Sequence, residues 1–97
     1  MRSIIIFLML VASLTASAQH NELRDSLNHT TAELDQHPDS IGLLLKCAGW
    51  KVMLEQWQSA KNDYDRVLRL KPDNPSALYY RAYVNERLGR YNFARLD

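Results

Sequence analysis

The sequence predicts an all-α chain of antiparallel helix-turn-helix repeats stacked as an α-solenoid, and three observations predict it. Pro38 and Pro72 stand 34 residues apart, and each is followed by a helix-start pair, Asp39-Ser40 and Asp73-Asn74. The stretches behind them share a layout. Ile41 to Leu54 and Trp57 to Leu70 read as helix, turn, helix, and Pro75 to Leu88 with Tyr91 onward begins to repeat it. Within these stretches apolar residues return at helical spacing, most plainly at Trp57, Ala60, Tyr64 and Val67. A recurrence of this length marks a two-helix unit that buries its apolar side only by stacking on the next.

At 97 residues the chain has room for one small domain. Residues 1–18 carry the three-part pattern of a cleavable signal peptide. Met1-Arg2 is the positive start, Ile4 to Leu14 is an apolar run broken only by Ser13, and Ala16-Ser17-Ala18 fits the small-x-small cleavage rule. The apolar run is shorter than the roughly 20 residues a spanning helix needs. Cleavage after Ala18 leaves Gln19 first, and no lipid-anchoring cysteine follows it. The expected destination is outside the cytoplasm, in a bacterial periplasm or cell envelope. An uncleaved signal anchor is the alternative, and only that would hold the chain at a membrane.

Losing Arg2 takes the formal charge from +1 to zero. A neutral chain without a basic block has no footprint for nucleic acid or an anionic membrane surface. The single cysteine, Cys47, cannot close an internal disulfide. Exported domains of this size often depend on such bridges; this one must depend on helix packing. Cys47 reads as a buried, inert thiol, with pairing between chains as the alternative.

Residues 19–37 form an N-terminal capping helix. Leu23, Leu27 and Leu34, with Ala32 between them, make a narrow apolar stripe, Asn21 can cap the start, and His37-Pro38 ends it. Residues 38–97 are the repeat region, with a first unit over 41–74 and an incomplete second over 75–97. In the first, Ile41 to Leu54 is apolar over more than half its circumference, as a helix with neighbours on two sides should be. Gly49 in its middle costs about 1 kcal/mol relative to alanine. A close helix crossing, an open groove or a tolerated defect would each explain it. After the Glu55-Gln56 turn, Trp57 to Leu70 puts Trp57, Ala60, Tyr64 and Val67 on one face. Lys61, Asp65 and Arg69 form an i, i+4 ladder on the other, with Asp63 and Arg66 beside it, all read as solvated pairs. In the second unit Asn74 is the expected N-cap and Pro75 the first helical residue. Gly89 is expected to turn the chain after Leu88, and Tyr91, Phe93, Ala94 and Leu96 to start a further helix.

These residues resemble the tetratricopeptide repeat, whose pattern runs W-x2-L-G-x2-Y, then A-x3-F, then P, over 34 residues. Leu44 takes the tryptophan place, Cys47-Ala48 the leucine-glycine pair, Ala60 and Tyr64 match A-x3-F, and Pro72 is the closing proline. In the second unit Leu78, Arg81-Ala82, Leu88-Gly89-x-Tyr91 and Ala94 fall in place, and the next aromatic would lie one residue past Asp97. The chain therefore resembles the front of a longer array, about three units being needed for stability. Lys51 and Asn85 depart from the pattern at the tyrosine place. Glu55 stands where the second unit has Gly89, so the first turn is expected to be strained.

The resemblance implies a concave groove lined by the first helix of each unit and holding a protein or peptide partner. Carried over by position, its lining is Leu45, Lys46, Gly49, Val52 and Met53, then Tyr79, Tyr80, Tyr83, Glu86 and Arg87. The tyrosines offer rigid contact area with a polar tip, and Arg87 could pair with a ligand carboxylate. Tyrosine packing on a neighbouring unit and a solvated Arg87 are the plainer readings. Chaperone-binding members clamp a C-terminal carboxylate with lysine and asparagine; Leu45 and Gly49 hold those places here, so no such clamp is expected.

Other chemistry is thin. His20, His29 and His37 lack the i, i+4 spacing of a helical metal pair. There is no Gly-rich phosphate loop and no defensible catalytic triad, so no enzyme activity, cofactor, metal or small-molecule substrate is expected. Asn28-His29-Thr30, Asp25-Ser26-Leu27 and Asp39-Ser40-Ile41 match short glycosylation acceptors, and for Asp39-Ser40 helix capping is the better explanation. The function expected is a non-catalytic protein–protein interaction scaffold. The alternative is the N-terminal sensor or interaction domain of a larger membrane signalling protein or enzyme.

Overall fold

The described residues form four helices: α1 (Arg2–Gln36), α2 (Ile41–Met53), α3 (Trp57–Leu70) and α4 (Pro75–Leu96). The computed structural model describes the backbone of residues 2–96 and the side chains of residues 17–92. The fold is all-α, with no strand among the described residues. Each helix packs on the next in the chain, and α2 also touches α4. Among the described residues no helix is long and apolar enough to cross a membrane.

The boundaries follow local chemistry. Ser40 caps α2, its Oγ accepting from Leu43 N at 3.3 Å. Asn74 caps α4, its Oδ1 accepting from Ala77 N at 2.9 Å, and Pro75 is the first helical residue. The α2–α3 turn closes with two bonds, Glu55 N to Val52 O at 3.0 Å and Gln56 N to Lys51 O at 2.8 Å. Together they satisfy the last carbonyls of α2 in the six-to-one, five-to-two pattern that normally ends on glycine. Here Glu55 adopts the left-handed conformation, with φ of 60°. The turn expected to be strained is the one that carries a side chain at positive φ.

The core lies where α2, α3 and α4 meet. Leu44, Ala48, Ala60, Tyr64, Val67, Ala77 and Val84 form one buried cluster, and Trp57, Val52, Tyr83 and Leu88 pack on its edges. The three alanines are fully buried and let helix backbones approach closely, while Leu44, Tyr64, Val67 and Val84 fill the remaining space. Opposed side chains show the chain reversing at each turn. Asp39, just before α2, reaches Arg66 late in α3, whereas Lys51, late in α2, reaches Asp63. Trp57 at the start of α3 meets Tyr83, while Tyr64, further on, meets Tyr80. Helices α2 and α3 are therefore antiparallel, as are α3 and α4.

Helix α1 joins through Leu27, Thr30 and Leu34, the last packing against the core cluster. Thr30, not Ala32, completes this face: it lies three residues after Leu27 and four before Leu34, whereas Ala32 is exposed. The buried Thr30 hydroxyl donates to Ser26 O at 2.8 Å, so its burial leaves no unsatisfied donor. Asn21 is not a cap, because the helix runs through it from Arg2 without a break. The side-chain features of the signal pattern in residues 1–16 lie outside the described residues.

Two further expectations change. The turn at Gly89 is absent: α4 continues to Leu96, and Gly89 has no positive φ. Glycine in a helix interior costs only about 1 kcal/mol relative to alanine, so Gly89 permits an unbroken helix as readily as a turn. The side chains of Phe93, Ala94 and Leu96, expected on that further helix, lie outside the described residues. The charges of α3 also do not form a simple ladder along their own helix. Asp63 pairs with Lys51 of α2 at 2.7 Å, Arg66 with Asp39 at 3.5 Å, and Asp65 with Arg81 of α4 at 3.5 Å, besides Lys61 at 3.9 Å. Lys51 and Asp63 are both largely shielded from water, so theirs is the pair least weakened by solvent.

Two substitutions check these turns. A methyl group added at Gly89 meets nothing within 4 Å. Gly89→Ala should raise stability by up to about 1 kcal/mol in urea unfolding, the helix-interior value; a left-handed turn there would make it destabilising. Glu55→Gly should also stabilise, by about 0.5–1 kcal/mol, because the relief of left-handed strain exceeds the added chain entropy of glycine.

Candidate functional site

A cleft of about 440 Å³ opens between α2 and α4, with α3 beneath it. Helix α2 supplies Leu45, Lys46, Gly49, Trp50, Val52 and Met53. Tyr64 comes from α3, and Ser76 and Tyr80 from α4. The broad apolar surface of α2 explains the arrangement. One part, Leu44 and Ala48, turns into the core, and the adjoining part, beginning at Leu45 and Gly49, is left over to line a groove.

Gly49 has no close neighbour where a Cβ would sit. Of the three explanations for this mid-helix glycine, a close crossing is therefore removed, and the residue keeps the cleft wide. Met53 is 61% exposed at the rim. Tyr80 lies over Tyr64, ring centroids 5.8 Å apart and planes 12° from parallel, and Tyr79 meets Tyr80 edge-on at 5.1 Å. Tyr64 thus has a double place: it is buried in the core cluster and also forms part of the cleft wall. Burial, then the neighbouring Tyr80 and Asp63, push its phenol up to about 12.

The ten residues expected to line one groove fall into two groups. All five from α2 line the cleft, and Tyr80 joins them. Tyr79 is 69% exposed beside Tyr80 but does not line the cleft. Tyr83 packs edge-on against Trp57, centroids 6.1 Å apart, and the Arg87 guanidinium sits 5.9 Å from the Trp57 ring and 5.3 Å from the Tyr83 ring. Glu86 pairs with Arg90 at 2.7 Å on the exposed surface. Tyr83, Glu86 and Arg87 therefore lie away from the cleft, at the end of α4 that faces the start of α3. Arg87 is held against aromatic rings, an arrangement worth about 0.5–1 kcal/mol at a surface.

Trp50, Tyr64 and Ser76 are the cleft residues not expected from position alone. Trp50 stands one turn after Lys46, a relation that would have placed it on the same side. Its indole N–H is closed off from solvent and has no hydrogen-bond acceptor among the described residues. Elsewhere, Cys47 is 1% exposed, on the side of α2 that faces Thr31, whose Oγ1 lies 4.0 Å from the sulfur. Burial pushes its thiol above the ordinary range, against the Thr31 hydrogen bond, which lowers it. A thiol so placed stays protonated at neutral pH and out of reach of a second chain. No cluster of three or more metal-ligating side chains occurs among the described residues.

No family model matches the chain, and no curated protein and no solved structure matches it.

The phenol of Tyr64 gives a pH-dependent check. Its folded pKa lies above the unfolded value of about 10, so the fold favours the neutral form. The stability this represents is complete below pH 10 and is lost as pH rises towards 12. Urea midpoints should fall over that window in the native chain, and Tyr64→Phe should remove this component of the slope.

Proposed function

We propose that this chain is a non-catalytic, exported protein-interaction scaffold. Its tetratricopeptide-like helix pairs stack as an α-solenoid and hold a segment of a protein partner in the cleft between α2 and α4. The observation that carries the reading is the cleft itself. An open groove of about 440 Å³ is lined by the five α2 residues at the places that face partners in the repeat family, and apolar side chains stand exposed around it. Grooves of this size and character suit a few side chains of a bound segment.

Three further features support the repeat reading, and a fourth supports export. Helices α2 and α3 are antiparallel, with Ala60 and Tyr64 buried between neighbours. The chain bends with a left-handed residue where the repeat has its turn glycine. The contact between α2 and α4 is what first helices of successive units would make. The N-terminal pattern of residues 1–18 supports export. Binding without turnover is the simplest chemistry for a site whose lining offers an ammonium, an indole and hydroxyls, and no carboxylate, imidazole or thiol.

Filling the groove tests the reading. Gly49→Leu places its Cβ where nothing stands within 4 Å, on a helix surface that opens into the cleft, and replaces a poor helix former, so the helix content seen by circular dichroism should hold. Peptides selected from a random display library on the wild-type protein should bind Gly49→Leu at least 10-fold more weakly, by about 1.4 kcal/mol or more. Equal binding by a folded Gly49→Leu protein would overturn the assignment of the cleft.

A further inference from the structure

Resting on that reading, we propose that the cleft selects an apolar segment carrying an acidic side chain, whose carboxylate pairs with Lys46. The polar lining is one-sided. Lys46 is the only charged residue of the cleft, it is exposed, and no carboxylate lies within 4.0 Å of it among the described residues. The acids of α3 and α4 among the described residues are each engaged by another cation: Asp63 by Lys51, Asp65 by Lys61 and Arg81, and Glu86 by Arg90. One turn along α2, the Trp50 indole N–H is closed off from solvent and adds no acceptor that would compete for Lys46. Serine and tyrosine hydroxyls, which donate as well as accept, complete the polar set. An occupant that brings an anion beside apolar groups matches this surface, and one that brings a cation meets Lys46 unfavourably.

A peptide fits better than a carboxylate lipid. The apolar surface does not end inside the cleft: Met53 at its rim is 61% exposed, and Tyr79, beside Tyr80 and outside the lining, is 69% exposed. A single acyl chain would leave this flanking surface in water, whereas an extended or helical segment covers it with alternate side chains.

The test uses the whole chain and three soluble peptide libraries. Each has random Leu, Phe, Met and Ala positions around one fixed central residue, glutamate, glutamine or lysine. Retention on immobilised protein is read for the wild type, Lys46→Glu and Gly49→Leu. The expected result is that the wild type retains the glutamate library at least fivefold over the lysine library, that Lys46→Glu reverses this order, and that Gly49→Leu retains neither. Equal retention of all three libraries by the wild type, lost in Gly49→Leu, would overturn the acidic preference and leave the groove standing. Retention of none would overturn both. Dodecanoate that binds in a Lys46-dependent way while no library does would overturn the peptide and assign the cleft to a lipid.

Discussion

The close approach of α2 to α3 and of α3 to α4 is the constraint from which the rest of the fold follows. Ala48, Ala60 and Ala77 have no exposed surface, and each replaces a larger side chain where helices meet. With the backbones brought together, four larger residues, Leu44, Tyr64, Val67 and Val84, suffice to fill the shared interior. Interiors pack like crystals of small molecules, so a change of one methylene at such a contact is felt. A bulky residue at Ala60 would disturb the interior shared by α2, α3 and α4, since Ala60 belongs to their common buried cluster. The cleft inherits its width from the same spacing, because α2 and α4 stand on either side of Tyr64.

Charge placement reinforces this geometry. The acidic and basic residues of α3 read, from spacing alone, as a solvated ladder along one helix. In three dimensions Asp63, Arg66 and Asp65 reach Lys51, Asp39 and Arg81 on other segments. The more exposed of these, Arg66–Asp39 and Arg81–Asp65, contribute from nothing measurable to about 1 kcal/mol each. Their effect lies in direction as much as in energy: they favour antiparallel neighbours in one register and disfavour a slipped one. Lys51 is instructive, since it departs from the repeat pattern at a place usually held by tyrosine. The hydrophobic contact expected there is replaced by a shielded ion pair with Asp63.

Much of the fold was legible in the sequence because its signals are local. Proline and caps marked Ser40, Asn74 and Pro75, and the three-four spacing of Trp57, Ala60, Tyr64 and Val67 marked the buried face of α3. The left-handed turn was legible as a misplaced glutamate at position 55. What was not legible depended on neighbours. Gly89 fits a turn or a helix interior equally well, and nothing in its immediate neighbours decides between them. Thr30 is polar by composition but buries easily once its hydroxyl bonds back to Ser26. For the cleft, the α2 side was legible because one wide apolar helix must divide its surface between core and groove. The α4 side was not, because the stacking of Tyr80 on Tyr64 and of Arg87 on Trp57 and Tyr83 sorts neighbouring residues onto different surfaces.

Tyr64 belongs both to the packed interior and to the wall that an incoming segment would touch. Occupancy and folding are therefore linked through one ring. A guest that seats against Tyr64 and Tyr80 binds only where α2, α3 and α4 are already assembled, so it draws the population towards the assembled state by mass action. On the proposed reading such a guest would act as a further piece of the interior, and the three helices would be most rigid with it seated.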